Sequence, residues 1–438
     1  MLLLASDFRR QTSDRNPDEI KRETFSMSKA VIQESQREFD VVLYGATSFV
    51  GRFVAAHLFE RQQHDPTLRI ALAGRSDRKL QALKHALGMA DLPVILADAA
   101  DGDALEAMTQ RARVVASTVG PYARYGSALV AACAQTGTDY CDLTAEIPWM
   151  QRMVAQHGAA AHASGARIVH SCGFDSIPSD LGTWVLQQEA IARFGQPCQT
   201  VQMRVLKASG GFSGGTVASL SEMVAEASDD AQVRASTLNP YGLGHDGGEG
   251  PQTDRTLPRY DKTLGQWSAP FLMGPINTRV VQRSHALAGR PWGDDFVYDE
   301  AMATGRGALG LALAAGVTGA LGSLIGLAAL KPTRPLLKKV LPKPGKGPSL
   351  KTIENGFFHM RATGTTRDGQ SLSVDIHGEK DPGYGATSKM LGESALCLAA
   401  DSDNGHVAGG FWTPSTAMGC RLVERLAEHA GVRILPIH

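Results

Sequence analysis

The sequence predicts an α/β protein in which a doubly wound parallel sheet is followed by a second α+β domain with an antiparallel sheet. Two observations lead to this prediction. Short apolar runs alternate with helical patterns from residue 39 onward, and two later strand-like runs are joined by a turn that contains Asp368-Gly369. Because a chain of 438 residues is longer than one hydrophobic core usually serves, we expect at least two domains.

The first domain is predicted over residues 39–195. Phe39 to Tyr44 is an apolar run typical of a buried strand, and apolar residues recur at helical spacing from Phe49. Further strands are predicted in "LRIALAG", "LPVILAD", "RVVASTVG", "TDYCDL" and "ARIVHS", with helical patterns between them. Strands and helices that alternate at this spacing form a parallel sheet with crossover helices.

A glycine turn, "GATSFVG", joins the first strand to the first helix. Gly45 would make the tight turn and Gly51 would let helix and strand pack closely, while backbone N–H groups and the helix N-terminus face a phosphate. The residues of this predicted phosphate site are Gly45, Thr47, Ser48, Phe49, Val50 and Gly51. Taken alone, the turn also fits an ordinary strand-to-helix connection, but its place in an alternating unit favours a Rossmann dinucleotide site.

The choice of cofactor depends on Arg75, which follows the second strand where NAD-preferring sites usually carry an acidic residue. A guanidinium there can bind a 2′-phosphate and stack on adenine, so we predict NADP(H). The alternative is a solvated surface arginine. The remaining predicted cofactor contacts follow the third and fourth strands: Asp98, Thr118, Val119, Gly120 and Pro121.

Candidate catalytic residues lie in the loops after the later strands, where parallel sheets bind their ligands. Tyr122 and Tyr125 in "GPYARYG" could donate a proton to an enolate, or they could simply pack around the turn. Asp142 and Glu146 could hold ribose hydroxyls, orient a neighbouring loop or act as acid or base, and the alternative is that they cap the helix that begins near Ile147.

The stretch "GFDSIPSD" adds Asp175 and Ser176, directly after a strand. Asp175 is a candidate catalytic residue, and the alternative for both residues is that they cap the helix that follows. His170 fits a buried core histidine better than a catalyst. The glycine-rich stretch 208–219 could approach the nicotinamide or a substrate carbonyl.

Composition excludes several classes of partner and ligand. Lys plus Arg and Asp plus Glu number 44 each, so no long-range field attracts nucleic acid. Six cysteines are scattered without a zinc-binding spacing, which favours reduced thiols in a cytoplasmic protein, and no metal site is predicted. Residues 1–38 are polar and are expected to form a loosely ordered extension without an export signal.

Four stretches in order, "GATSFVG", "STVGPYARYG", "YCDLTAEIPWM" and "CGFDSIPSDLG", resemble the saccharopine dehydrogenase-like oxidoreductases, which include the trans-acting enoyl reductases. The resemblance runs from about Phe39 to the end and includes "DPGYGATSKML" and "GGFWTPSTAMG". It implies an NADP(H) domain, a substrate or dimerisation domain at 196–388, and helices at 389–438 that return to the first domain. Many relatives have a glycine at the position of Ser48, so the loop is expected to differ slightly.

The resemblance also implies the activity: an NADPH-dependent oxidoreductase that reduces a C=C bond of a lipid or polyketide-like acyl substrate. One alternative is a saccharopine-type dehydrogenase of secondary amines, which would need arginines for substrate carboxylates. Arg204, Arg279, Arg283 and Arg361 are available in the second domain. Another alternative is a lipid-surface scaffold that binds NADP(H) without turnover.

Residues 307–330 form an apolar run without a charge, long enough to span a bilayer, and basic residues follow it up to Lys346. A single span would separate the two halves of the fold. We therefore predict a re-entrant or surface-docked segment that associates with the inner face of a membrane through 307–346. The alternatives are a helix buried within the protein and a homodimer interface.

Overall fold

The structure is a computed structural model that describes residues 37–210, 214–244, 250–335, 337, 347–400 and 407–437. Three stretches considered above fall outside the described residues: the N-terminal extension 1–36, residues 211–213 of the glycine-rich stretch, and residues 338–346 of the basic segment.

The first sheet consists of β1 (Phe39–Tyr44), β2 (Ile70–Gly74), β3 (Val94–Leu96), β4 (Ala112–Ser117), β5 (Asp139–Asp142), β6 (Arg167–Val169) and β13 (Gly410–Trp412). The strand order is β13-β6-β5-β4-β1-β2-β3, and every pair is parallel. All six residues of β1 are buried, as expected for a strand covered on both faces. The predicted parallel sheet is confirmed.

Helices connect the strands of this sheet: α1 (Phe49–His64), α2 (Asp77–Ala86), α3 (Gly102–Thr109), α4 (Tyr122–Tyr125), α5 (Ser127–Thr136) and α6 (Ile147–Ser164). A long helix, α7 (Ile177–Phe194), leads to the second sheet. Both α6 and α7 have a proline in the first turn and end at a glycine in the left-handed conformation, Gly165 (φ 89°) and Gly195 (φ 70°). Because proline and glycine favour these positions at helix ends, both helices were predictable from the sequence.

The second sheet consists of β7 (Cys198–Ser209), β8 (Arg259–Asp261), β9 (Gln266–Pro270), β10 (Val297–Gly305), β11 (Phe357–Thr366), β12 (Ser371–Glu379) and β14 (Val432–Ile437). Its order is β14-β12-β11-β7-β10-β9-β8. The predicted hairpin β11–β12 is present, and all pairs are antiparallel except β7 with β10. The sheet is therefore mixed because one of its connections crosses over.

The second region also contains α8 (Gly214–Asp229), α9 (Ala231–Leu238), α10 (Gly274–Leu287), α11 (Gly307–Ala329) and α12 (Leu350–Glu354). Helix α7 packs on β11 and β12, and α10 packs on β10 and α7. These contacts place the carboxyl end of the first sheet next to the second sheet.

The last segment of the chain returns to the first sheet, with α13 (Thr387–Ala400) packed on α1, β4 and β5 and α14 (Pro414–Arg425) packed on α7. Thr413 begins α14 with a reciprocal capping box to Thr416. The prediction for 389–438 named helices alone, whereas β13 and β14 add one strand to each sheet. Both strands are short and lie at sheet edges, where the periodic signal is limited.

Candidate functional site

The glycine turn forms a close-packed cradle after β1. Gly45 has φ +85°, and a Cβ there would lie 2.5 Å from Cγ2 of Val119. A Cβ on Gly51 would lie 2.3 Å from the carbonyl oxygen of Gly45. Side chains are thus excluded at both positions, and residues 47–50 at the start of α1 are partly exposed, an arrangement that suits a pyrophosphate.

Ser48 caps α1. Its Oγ accepts a hydrogen bond from the Gly51 N–H at 2.9 Å and lies 3.0 Å from Oγ1 of Thr118. Thr118 in turn donates to the carbonyl oxygen of Gly45 at 2.9 Å, so the loops after β1 and β4 are tied together. Because Ser48 has φ −66°, its backbone does not require glycine, and the residue fits the loop without strain.

Arg75 directly follows β2, and Asp98 lies two residues beyond the end of β3, on the β2–β3 side of this cradle. Arg75 is exposed and forms no hydrogen bond or ion pair with any residue that the structure describes. Asp98 is exposed and accepts a hydrogen bond from the Ala100 N–H at 3.0 Å. The pKa of Tyr44 is raised to about 12, chiefly by burial and further by the charge of Asp98. The charge of Arg75 opposes this rise. A guanidinium without a protein partner suits a 2′-phosphate.

The loop after β4 contains a cis peptide bond between Gly120 and Pro121 and then enters α4. Tyr122 is buried, and its hydroxyl donates to the Ser117 carbonyl at 3.1 Å and accepts from the Leu143 N–H at 3.1 Å. Burial raises the pKa of Tyr122 well above its usual value. The hydroxyl thus connects two loops and has no free proton to offer a substrate.

Tyr125, the second candidate of this loop, is placed quite differently. It lies at the end of α4 and is 44% exposed. The structure therefore separates the two tyrosines into a buried support and an exposed side chain at the rim.

Glu146 holds this loop against the second domain. Its two carboxylate oxygens accept hydrogen bonds from the N–H groups of Tyr122 and Ala123 at 2.9 and 2.8 Å, and Ser219 of α8 donates to it at 2.9 Å. Burial raises the pKa of Glu146, and these hydrogen bonds oppose the rise. The alternative of a cap on α6 is not realised; Glu146 instead caps the N-terminus of α4 and so orients a neighbouring loop.

Asp142 is fully buried and occupied by structural partners. It accepts hydrogen bonds from Nδ1 of His170 at 2.8 Å, from the hydroxyl of Tyr140 at 3.0 Å and from two backbone N–H groups. His170 also packs against Trp149, with ring centroids 5.1 Å apart. The pair supports the loops after β5 and β6 from within the core, in agreement with the interpretation of His170 as a core histidine.

Asp175 lies in the loop between β6 and α7, between two anchored neighbours. The Phe174 N–H donates to Oγ1 of Thr387 at 3.0 Å, and the Ser176 hydroxyl donates to Oδ1 of Asn277 at 2.9 Å. Burial raises the pKa of Asp175 to about 7, and its carboxyl forms no hydrogen bond or ion pair with a described residue. Neither Asp175 nor Ser176 caps α7. The raised pKa of Asp175 favours the protonated carboxyl, the form that a general acid requires.

One wall of the site was not assigned from the sequence. Asp381 caps the segment that follows it by accepting from the N–H groups of Tyr384 and Gly385 at 3.2 and 2.8 Å. This places Tyr384 against Phe49 at the start of α1, with ring centroids 4.8 Å apart. The aspartate at the head of "DPGYG" is a capping signal that could have indicated an ordered turn, but its partner across the fold could not be read from the sequence.

A second unassigned feature is the buried carboxyl of Glu300 on β10. It accepts hydrogen bonds from the side chains of Ser179, Asn277 and Tyr298 at 3.1, 3.2 and 2.9 Å. Burial raises its pKa to about 7. Since Asn277 also binds Ser176, this network supports the loop that carries Asp175.

Three side chains on the β11–β12 hairpin bring potential metal-ligand atoms within 4.8 Å of one another: His359, Asp375 and His377. The Asp375 carboxylate, however, already receives two hydrogen bonds from Arg361, at 2.6 and 2.8 Å. That ion pair occupies the only anionic ligand of the group. We therefore assign no metal to it.

The fold and the cradle together define a dinucleotide-binding oxidoreductase: a doubly wound parallel sheet, a glycine turn at the N-terminus of its first helix, and an exposed arginine directly after the second strand. Comparisons agree with this class. Residues 41–169 match the family model of the saccharopine dehydrogenase NADP-binding domain. The first domain is accordingly an NADP-binding domain.

Relatives cover nearly the whole chain. A trans-acting enoyl reductase of Mycobacterium bovis (strain BCG / Pasteur 1173P2) is 41% identical over 406 residues, 90% of this chain and 96% of its own. That of Mycobacterium ulcerans (strain Agy99) is 40% identical over 412 residues, 91% of this chain and 97% of its own. The chain belongs to the trans-acting enoyl reductase family.

Among solved structures, apo saccharopine dehydrogenase (L-Glu forming) from Saccharomyces cerevisiae is similar with a TM-score of 0.50 at 13% identity. The match covers 91% of this chain and 99% of that one. At this identity the likeness concerns the fold alone. It agrees with the two-sheet architecture.

Proposed function

We propose that this protein uses NADPH to reduce the C=C bond of an α,β-unsaturated acyl substrate, with Asp175 as the proton donor. The observation that carries the proposal is the carboxyl of Asp175, which lies in a loop at the carboxyl end of the parallel sheet, has no described partner and has a pKa of about 7. The names of the relatives supply the reaction class.

Reduction of such a bond adds a hydride to the β-carbon and a proton to the α-carbon. NADPH, when bound, supplies the hydride. The chain must then hold the cofactor and deliver the proton. Gly45, Gly51 and the N-terminus of α1 fit the pyrophosphate, and Arg75 fits the 2′-phosphate. Asp175 gives its proton to the carbanion or enolate as it forms and takes another from solvent afterwards.

Aromatic side chains beside these groups suit an apolar substrate. Phe49 packs edge-on against Tyr384, and Phe174, the neighbour of Asp175, packs edge-on against Phe358, both with centroids 4.8 Å apart. Both aromatic pairs offer apolar surface to an acyl chain. Phe49 and Phe174 are each only partly buried, which leaves ring surface available to a ligand.

The arrangement does not favour a saccharopine-type amine dehydrogenase. Arg204 pairs with Asp261 and Asp299, Arg279 pairs with Asp254, and Arg361 pairs with Asp375.

The fourth available arginine is also engaged. Arg283 is buried and donates to the carbonyl oxygens of Leu243 and Phe411, and burial lowers its pKa to about 10. All four candidate arginines are therefore committed within the fold and do not converge on a substrate carboxylate.

The test is to follow oxidation of NADPH by the purified protein with α,β-unsaturated acyl thioesters, and in parallel with glutamate plus an aldehyde. We expect turnover only with the thioesters, and a saturated acyl product by mass spectrometry. Turnover only with the amine pair would replace the proposal by an amine dehydrogenase. Tight NADPH binding without oxidation in either assay would favour a scaffold.

A further inference from the structure

Helix α11 (Gly307–Ala329) is a long apolar helix on the outside of the protein. Among the described residues it is the one helix that is long and apolar enough to cross a membrane. Only 11% of its most apolar 18-residue stretch is buried. Leu309 is 72% exposed, Leu313 51% and Ile325 47%. An exposed apolar surface of this length is unusual for a soluble monomer and marks an interaction site.

One face of α11 contacts the protein along its length. Its buried residues are Gly310, Ala314 and Ala328, and the helix packs against β9 and α8. The exposed leucines occupy the rest of its circumference. The helix therefore lies along the surface and presents an apolar side outward, at about 35 Å in length for 23 residues.

The two hydroxyl side chains of α11 form hydrogen bonds within the helix. Thr318 and Ser323, its two hydroxyl side chains, donate to the carbonyl oxygens four residues earlier at 2.8 Å each. Hydroxyls bonded back to their own helix are compatible with an apolar medium.

Carbonyl oxygens in the last turn of α11 also accept hydrogen bonds from protein side chains. Thr333 donates to the Leu327 carbonyl at 2.6 Å, and Arg334 donates to the carbonyls of Ala328 and Ala329 at 2.9 and 3.0 Å. Carbonyls at a helix end usually turn to solvent or a cap. Here protein groups replace solvent at the point where the apolar helix meets the basic residues that follow.

Charge points to the nature of the surface that α11 meets. From Ala301 to Ile353 the sequence contains eight basic residues and no acidic residue: Arg306, Lys331, Arg334, Lys338, Lys339, Lys343, Lys346 and Lys351. In the described part, Lys331 and Arg334 pair with Asp229 of α8, while Arg306 and Lys351 are exposed. A long apolar helix with basic residues beyond both ends matches the headgroup and acyl layers of an anionic bilayer.

We propose that α11 docks the protein on an anionic lipid bilayer, lying in the plane of the interface with Leu309, Leu313 and Ile325 in the acyl layer. The helix does not span, because its buried stripe stays on β9 and α8. This inference does not depend on the proposed reaction. It concerns where the enzyme works and which surface it uses.

The experiment is flotation of the full chain with vesicles of phosphatidylcholine alone and of phosphatidylcholine with phosphatidylglycerol. We expect binding to the anionic vesicles that weakens as salt is raised. The variant Leu309→Ser/Leu313→Ser should bind at least about tenfold more weakly. The matched control is Leu238→Ser/Leu257→Ser, which changes two exposed leucines elsewhere (65% each) and should bind as the wild type does.

Thermal melting and NADPH binding show that each variant is folded, so a loss of flotation reports the surface itself. Two results overturn the proposal: no binding of the folded wild type to anionic vesicles, or equal binding by the α11 variant. If, in addition, light scattering shows that the wild type is a dimer and the α11 variant a monomer, then the surface is an interface between two copies of the chain.

Discussion

Replacing Asp175 by asparagine keeps the size of the side chain and removes the charge that burial penalises. The pKa of this carboxyl is about 7 in the folded protein against an ordinary value of 3.8. At about 1.4 kcal/mol for each pH unit, the full difference sets an upper limit of roughly 4 kcal/mol, and because Asp175 is only partly buried, solvent screening reduces the destabilisation below that limit.

The sign follows from which state holds the proton. Between about pH 4 and pH 7 the folded protein keeps the Asp175 proton and the unfolded chain has lost it, so the free energy of unfolding falls as pH rises. Asp175→Asn escapes this loss. Wild type and variant should be similarly stable near pH 4, and the variant more stable above pH 7 by up to about 4 kcal/mol.

Activity should change in the opposite direction. We expect kcat of Asp175→Asn to fall by roughly 10²- to 10⁴-fold, with NADPH affinity unchanged, because the proton donor is lost and the cradle is intact. Wild-type kcat should decline as pH rises through about 7, and the variant should lack this step.

The assays are urea unfolding at several pH values and steady-state kinetics with a saturating enoyl thioester. Asp91→Asn, which removes one exposed carboxylate in the same domain, is the matched control. If Asp175→Asn is no more stable than wild type at pH 8, the carboxyl is not desolvated. If it reduces substrate at the wild-type rate, Asp175 is not the donor. Either result refutes the reasoning.

Three further substitutions test the rest of the site. Gly51→Ala places a methyl group 2.3 Å from a carbonyl oxygen of the turn. It should weaken NADPH binding, measured by nicotinamide fluorescence, at least about tenfold. The control Gly158→Ala, which has open space around it, should leave NADPH binding unchanged. Arg75→Glu should abolish the preference for NADPH over NADH, and the exposed Lys262→Glu should leave the two dissociation constants unchanged. Tyr122→Phe leaves a buried N–H unsatisfied and should lower the free energy of unfolding by about 1–3 kcal/mol in denaturant titrations; an unchanged stability would show that this hydrogen bond is not made.

The first sheet was largely predictable because its signals are local. The run Phe39 to Tyr44 is buried on both faces, and Pro148, Gly165 and Gly195 mark helix ends through their own backbone preferences. Gly45 was predictable for the same reason, since its positive φ is a property of one residue. Predictions that depend on a single position or a short period therefore held.

The roles of charged residues were less predictable because they depend on partners far along the chain. For Glu146 the sequence left several roles open, and the structure shows that it orients the neighbouring loop at Tyr122 and does not cap α6; its partner Ser219 in the second domain could not be inferred from the sequence. Desolvation raises the pKa of Asp175, and the tertiary packing behind it cannot be inferred from the residues around it in the sequence. The four arginines of the second domain likewise could be excluded as substrate ligands only once their carboxylate and carbonyl partners were known.

The two edge strands of the last segment have a consequence for biosynthesis. Strand β13 closes one edge of the first sheet and β14 closes one edge of the second. Until these residues have left the ribosome, β6 and β12 each present unpaired backbone groups to other chains, although the rest of both sheets is already made. Both native sheets are thus completed only after the last segment of the chain has been synthesised. Nascent chains stalled before β13 would be the species most dependent on chaperones.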